Sequence, residues 1–174
     1  MQILEDKIRE ICQNLNIPSD YEAQYGLSIQ YEESDLVEIG QDIYNRTQYL
    51  SSEAAVSWNT MRTKAYEEGI QLDIVSAFRS VSKQRSIIER KLRQGQSIES
   101  ILKASAAPGY SEHHTGRAID ISTPGCEPLD EEFELTEAFR WLMQNASTYS
   151  FTLSYPRGNS GGVAYEPWHW AYCE

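Results

Sequence analysis

Two hydrophobic periodicities follow one another along this chain, and their order limits the folds open to it. Helical spacing dominates first: Leu4, Ile8, Ile11, Cys12 and Leu15 mark an amphipathic helix over residues 2–15, and Ala54, Ala55, Trp58, Met61 and Ala65 a second over 52–68. Ser51 or Ser52 is placed to cap the second helix and Gly69 to end it. A third spans 82–94 with Ile87, Ile88 and Leu92 inward, a shorter one spans 97–103 with Ser97 as cap, and a last one covers 136–145. Short β-branched or alternating runs lie at 72–78 and 117–121, and closing strands are expected at 151–155 and 165–172 around a glycine-rich turn at 158–162. Residues 25–40 read as short extended pieces and loops. Helices first and strands last predict an α+β fold, with helices packed on a small, mainly antiparallel sheet.

At 174 residues, 40% of them hydrophobic, the chain has enough apolar material for one cored domain. Fifteen Lys and Arg against 26 Asp and Glu leave a net charge of −11. That balance excludes a nucleic-acid backbone as the natural partner, because phosphate contacts need clustered cations. It also argues against electrostatic docking on an anionic membrane. No apolar run approaches the ~20 residues of a membrane span. The N-terminal MQILEDKIREICQNL is charged throughout and lacks an apolar stretch before a small-residue cleavage site. No secretory leader is therefore expected in it, and a cytoplasmic location is the default. Cys12, Cys126 and Cys173 form an odd set without a C-x-x-C pair, which predicts packing or free thiols.

With three histidines the search for chemistry is short. His113 and His114 stand together in Ser-Glu-His-His-Thr-Gly, and His169 stands in Glu-Pro-Trp-His-Trp. Asp120 follows His113 by seven residues and Glu166 precedes His169 by three. Taken singly, each could be an ordinary cap, strand-end or surface residue. Together they lie in two segments punctuated by Gly and Pro. Two imidazoles and a carboxylate, His113, Asp120 and His169, suit a catalytic zinc that keeps an open position for water, with Glu166 left as general base. In one regular strand Glu166 and His169 would face opposite sides. The segment must therefore bend, or begin its pairing after Glu166, and Pro167 belongs at such a bend.

The residues now on the page resemble a known family. Ser111-Glu112-His113-His114-Thr115-Gly116-Arg117-Ala118-Ile119-Asp120 is similar to the S-x-H-x-x-G-x-A-x-D signature of the zinc D-alanyl-D-alanine carboxypeptidases. Glu166-Pro167-Trp168-His169 resembles the E-P-W-H motif of that family, and Ser76-Ala77-Phe78-Arg79-Ser80 with Gln84 its S-x-[YF]-R-S-x-x-x-Q segment. The family includes vancomycin-resistance enzymes and related L,D-carboxypeptidases of cell-wall peptides.

The resemblance implies one Zn²⁺ per chain on His113, Asp120 and His169, with Glu166 as catalytic base. It gives Arg79 a choice of two tasks, stabilising the oxyanion or holding the substrate carboxylate. Ser111, Gln84 and Trp168 join Arg79 as expected substrate contacts. His114, where many members carry Gln, is expected beside the site or at its rim rather than on the metal. Members often have a lysine before the last motif and an arginine after it; both are missing here, which bears on trimming preference. The implied activity removes a C-terminal D-alanine from a peptidoglycan stem peptide or D-Ala-terminated precursor. A phage-lysin-like endopeptidase and a non-catalytic zinc module are the alternatives. Residues 1–174 are expected to form one monomeric zinc peptidase domain, with 1–20 as a helical extension packed on it.

Overall fold

Helix α1 (Gln2–Asn14) opens the chain and buries Ile8 and Cys12 on one stripe, followed by the short α2 (Tyr21–Tyr25). The structure, a computed structural model, describes residues 2–159 and 163–173. Strands β1 (Leu36–Gln41) and β2 (Thr47–Ser51) pair as an antiparallel hairpin that leads directly into α3 (Ser52–Glu67). Then come β3 (Asp73–Ser76), α4 (Val81–Arg93) and α5 (Ile98–Leu102). Beyond them lie β4 (Ala118–Ser122), α6 (Glu137–Asn145), β5 (Phe151–Leu153) and β6 (His169–Tyr172). A four-stranded antiparallel sheet in the order β3-β4-β6-β5 carries the α+β architecture expected from the order of periodicities.

Two apolar clusters hold these elements. Trp58, Met61 and Ala65 of α3 pack with Ile74, Ile119, Ile121 and Trp170 of the sheet and with Trp141 and Leu142 of α6. A second cluster joins Ile8, Cys12, Leu15, Ile17 and Tyr21 to Ile88, Ile101, Leu102 and Tyr110. The N-terminal residues thereby pack in one cluster with Ile88 of α4.

Some local expectations need correction. The segment read as loose extended pieces contains β1, and β2 had no counterpart in the sequence reading. Their pattern is blurred by a bulge between Glu38 and Gly40, with Gly40 at φ +104°. Ser51 occupies the position before α3, but its side chain caps nothing; its buried hydroxyl has no partner among the described residues. Strand β4 alternates in chemistry as expected, yet all five residues are buried because both faces are covered. Pairing in the last strand starts only at His169, four residues later than expected. The glycine-rich turn lies partly outside the described residues. Cys12, Cys126 and Cys173 are all unpaired thiols. No described helix is long and apolar enough to cross a membrane.

The hairpin is organised by one buried carboxylate. Asp42 accepts hydrogen bonds from the amides of Tyr44 (2.8 Å) and Arg46 (3.0 Å), from Arg46 Nε (2.7 Å) and from Gln48 Nε2 (2.7 Å). Gln48 Oε1 in turn accepts from the Ala77 amide at 2.9 Å, which ties the hairpin to the end of β3. Burial works to raise the Asp42 carboxyl, but the Arg46 and Tyr44 amides and the Arg46 guanidinium outweigh it and hold the group below its usual value. Asp42→Ala is therefore expected to cost about 2–3 kcal/mol, the scale for orphaning buried donors. Urea unfolding at neutral pH measures it. Because the folded carboxyl titrates low, the difference should be full above about pH 4 and shrink as pH falls below that. An unchanged urea midpoint at pH 7 would remove Asp42 from this role.

Candidate metal centre and its cleft

The sheet brings two of the proposed ligands together before any side chain chooses a rotamer. Asp120 in β4 lies opposite Ser76 of β3 on one side and His169 of β6 on the other. Such cross-strand neighbours hold their Cβ atoms about 4.5–5.5 Å apart on one face. Ile119 and Ile121, one step either way, turn into the core. His113 arrives from a 3-10 turn, Glu112–Thr115, that ends at Gly116 with φ +64°. A Cβ at Gly116 would lie 2.9 Å from the Ser51 amide nitrogen, so glycine is needed both for the left-handed turn and for the close approach to the end of β2. Glu166 enters through a turn closed by the His169 amide donating to the Glu166 carbonyl at 3.1 Å. Pro167, which has no N–H to offer a ladder, occupies that turn. The bend inferred from the three-residue spacing is thus present, and Glu166 Oε2 lies 3.8 Å from His169 Nδ1.

Hydrogen bonds fix which ring nitrogens face inward. His113 Nδ1 contacts the Ala77 carbonyl at 2.7 Å, and a carbonyl can only accept, so the proton sits on Nδ1. Burial drives His113 toward its neutral form, against the pull of Asp120. Its Nε2 lone pair therefore points at Asp120 Oδ2, 3.2 Å away. His169 Nε2 donates to Glu112 Oε2 at 2.9 Å, which turns Nδ1 toward Asp120 Oδ1, also at 2.9 Å. Two imidazole nitrogens and a carboxylate thus converge, with all three donor atoms within 4.8 Å of one another. Donors on a tetrahedral zinc with bonds of about 2.0–2.1 Å lie about 3.3 Å apart, close to the two measured separations.

The electrostatics follow from burial and from these neighbours. Burial alone would raise the Asp120 carboxyl, but His113 and His169 hold it well below the usual aspartate range. Burial opposes charge on His169, yet Asp120 and Glu112 outweigh it and push that ring up to about 10. Glu166 goes the other way: burial raises it to about 7, against the counter-pull of His169.

A cleft of about 510 Å³ opens over this group and is lined by Arg79, Ser111, Tyr155, Glu166 and Trp168 among others. Arg79 is held from two sides, NH1 donating to Gln84 Oε1 and NH2 to Ser76 Oγ, both at 3.0 Å, with NH2 3.8 Å from Asp120 Oδ2. Ser80, the other polar residue of that motif, caps α4 by accepting from the Lys83 amide at 3.1 Å. Ser111 and Trp168 stand at the cleft wall. Gln84, expected against substrate, is instead buried behind Arg79 and is not part of the wall. Both ends of its amide are engaged, Oε1 by Arg79 and Nε2 by the Ala106 carbonyl at 2.6 Å.

Of the two places expected for His114, the structure shows the one beside the site. It lies in the 3-10 turn rather than in an extended run, and it is fully buried instead of standing at a rim. Its Nδ1–H donates to the Arg79 carbonyl and its Nε2 accepts from the Gly109 amide at 3.1 Å. Burial pushes the ring down to about 4, so it stays neutral. Sequence reasoning missed two residues. Glu112, bonded to a histidine 57 positions away, has no local spacing signal. Tyr155 lines the cleft with its ring 4.8 Å from that of His169, and only tertiary packing reveals the contact.

Residues 47–174 match the VanY family, described as D-alanyl-D-alanine carboxypeptidase. YodJ of Bacillus subtilis (strain 168), named a putative carboxypeptidase, is 35% identical over 96% of this chain. The chain spans 63% of the length of YodJ. The LdcB LD-carboxypeptidase, solved in a study of peptidoglycan recognition, superposes with a TM-score of 0.73 at 36% identity, over 82% of this chain and 70% of that one. A VanY D,D-pentapeptidase mutant from a VanB-type vancomycin-resistance cassette, solved with Zn(II), shares the fold with a TM-score of 0.60 at 24% identity. That match covers 86% of this chain and 80% of the other.

His114→Ala would leave the Gly109 N–H and the Arg79 carbonyl buried without their partner. At about 1–3 kcal/mol per orphaned group, a loss of about 2–4 kcal/mol is expected in urea unfolding, with metal content retained. His114→Gln, whose amide can both donate and accept, should recover most of it. Equal stability of the alanine variant and the parent would show that the ring is not holding the Arg79 backbone.

Proposed function

Because this chain belongs to the VanY family of D-alanyl-D-alanine carboxypeptidases, we propose that it is a zinc carboxypeptidase removing C-terminal D-alanine from peptidoglycan peptides. The observation that carries the reading is the convergence of His113 Nε2, His169 Nδ1 and the buried Asp120 carboxylate, all within 4.8 Å of one another. Two imidazoles and a carboxylate so gathered are the donor set of a catalytic zinc site. His113, Asp120 and His169 would hold one Zn²⁺ per chain, and the ion would supply an activated water and polarise the attacked carbonyl.

The remaining steps belong to side chains of this chain. Glu166 takes the proton of the attacking water; a carboxyl raised to about 7 is suited to accept and return a proton near neutrality. Arg79, preset by Ser76 and Gln84, donates to the carbonyl oxygen as negative charge grows there. Glu166 then passes its proton to the leaving nitrogen, and D-alanine departs. Ser111, Trp168 and Tyr155 shape the wall against which the peptide lies. Glu112 orients His169 and increases its basicity, the part that carboxylate partners of ligating histidines play. We place this activity in a single monomeric unit comprising the whole chain, with residues 1–20 as a helical extension bracing α4.

Mass spectrometry of D-Ala-terminated stem peptides after incubation with zinc-loaded protein tests the reading directly. Loss of one D-alanine is the expected product, and intact peptides would refute it. In the same assay Glu166→Gln should keep stoichiometric zinc and lose about 10²–10⁴ in kcat, whereas His113→Ala or His169→Ala should lose the metal. Near-normal turnover by Glu166→Gln with full zinc would mean that another group is the base. Glu112→Gln preserves shape but removes the charge behind His169. Its zinc affinity by chelator competition should fall about 10–100-fold, and an unchanged affinity would deny Glu112 this part.

A further inference from the structure

Strand β3 stands at an edge of the four-stranded sheet, and its free side is covered by the β1–β2 hairpin rather than by another strand of that sheet. Four hydrogen bonds form this seam. The Ile43 amide donates to the Ile74 carbonyl at 3.0 Å, and Arg46 NH2 to the Val75 carbonyl at 3.1 Å. The Ala77 amide donates to Gln48 Oε1 at 2.9 Å, and the Phe78 amide to the Tyr49 carbonyl at 3.0 Å. None of residues 42–49 lines the cleft, so the seam meets the site only from behind.

The polar groups of the seam can be oriented in one way only. Asp42, buried in the turn and titrating low, is a carboxylate that can only accept. Gln48 therefore gives it the NH2 end of its amide, at 2.7 Å, and keeps the carbonyl end for Ala77, whose N–H can only donate. The carbonyl of the same Ala77 accepts from His113 Nδ1 at 2.7 Å. The peptide group that carries this carbonyl also carries the Phe78 N–H, which Tyr49 holds. Its plane is thus set from the hairpin side, and the His113 ring takes its bearing from that plane. The next amide, that of Arg79, donates back to the His113 carbonyl at 3.0 Å. Three successive amides, 77 to 79, are committed, so a displacement at Gln48 passes to His113 instead of being absorbed by slack.

We propose that Gln48, oriented by Asp42, is a positioning residue for His113 and sets from outside the cleft how tightly zinc is held. The assignment rests on the zinc reading above. A tetrahedral ion fixes both bond length and direction at each ligand. Metal-free protein can tolerate a tilted His113 ring that a bound ion cannot, so misplacing Ala77 weakens the zinc-bound state more than the empty one.

Zinc affinity of the full chain, read by competition with a chromogenic chelator, tests this without any peptide substrate. Gln48→Met keeps the side-chain length and removes both polar ends. Its zinc dissociation constant should rise roughly 3–30-fold, the range for changes that reach a site through an intervening contact. A merely structural Gln48 would instead lower the urea midpoints of metal-free and zinc-loaded protein alike and leave the dissociation constant unchanged.

Asp42→Asn is a second route to the same effect. The new side-chain oxygen stays with the amides of Tyr44 and Arg46, so its NH2 faces the Gln48 NH2. Gln48 must then turn over and set a donor against the Ala77 N–H. The affinity loss should match that of Gln48→Met. Adding Gln48→Glu to Asp42→Asn restores a donor–acceptor match at both ends and should return affinity to within about twofold of the parent. Arg46→Met cuts the neighbouring contact to Val75; it should lower the urea midpoint yet hold zinc affinity within about twofold.

Parent-like affinity in Gln48→Met, or in Asp42→Asn should Gln48→Met not fold, would overturn the proposal. A swapped pair no better than Asp42→Asn alone would do the same. So would an equal loss of affinity in Arg46→Met, which would tie the effect to the hairpin as a whole and not to Gln48. A parent that binds no zinc would overturn the zinc reading and this role with it.

Discussion

The structure is organised around a carboxylate that water cannot reach. Asp120 is only 4% exposed in the middle of a sheet, and an ion so placed costs several kcal/mol unless its surroundings compensate. Compensation comes from both flanking elements: His169 directly across the ladder, His113 from the turn before β4, and the Arg79 guanidinium 3.8 Å away. Each partner is held from behind. The Ala77 carbonyl sets His113, Glu112 sets His169, and Ser76 with Gln84 sets Arg79. The result is rigid because the groups around the acid have few alternative partners.

That support extends well beyond the site. Ala77, whose carbonyl orients His113, donates through its own amide to Gln48 Oε1, and Gln48 is fixed by Asp42 in the hairpin turn. A second line runs from the Arg79 carbonyl through His114 to the Gly109 amide, and Gly109 lies against Ile8 of α1. Two peripheral pieces, the hairpin and the N-terminal helix, thus feed positional order into the same square of sheet. The N-terminal cluster also packs on Ile88 of α4, the helix that presents Gln84 to Arg79.

Charge placement has a functional logic that the net value hides. A chain of net charge −11 lines its main cleft with Arg79, Arg90 and Lys91 as well as with Asp120, Glu131 and Glu166. The placement of Glu166 in a turn rather than in β6 matters as well. A strand position three residues before His169 would have turned its carboxylate to the other face of the sheet.

Much of this was legible in the residues themselves. Helical periodicity located α1, α3, α4 and α6, and the alternation of Ile119, Asp120 and Ile121 located β4, because local backbone preference and one-sided burial agree in those segments. The three histidines and two carboxylates in turn-rich segments were enough to nominate His113, Asp120, His169 and Glu166, and Pro167 was enough to require the bend. What stayed hidden depends on partners far away in the chain. The hairpin carries a bulge and exposed faces, so its pairing answers to Asp42 more than to any period. Gln84 reads as a polar residue on a helix until packing puts Arg79 on one end of its amide and Ala106 on the other. Glu112 and His114 acquire meaning only when residues tens of positions away arrive beside them, and Tyr155 only when packing sets it against His169. Sequence determines which chemistry is available and which elements can form. Tertiary structure alone decides which nitrogen faces the acid and which carboxylate stands behind His169, because both depend on distances that local preference does not encode.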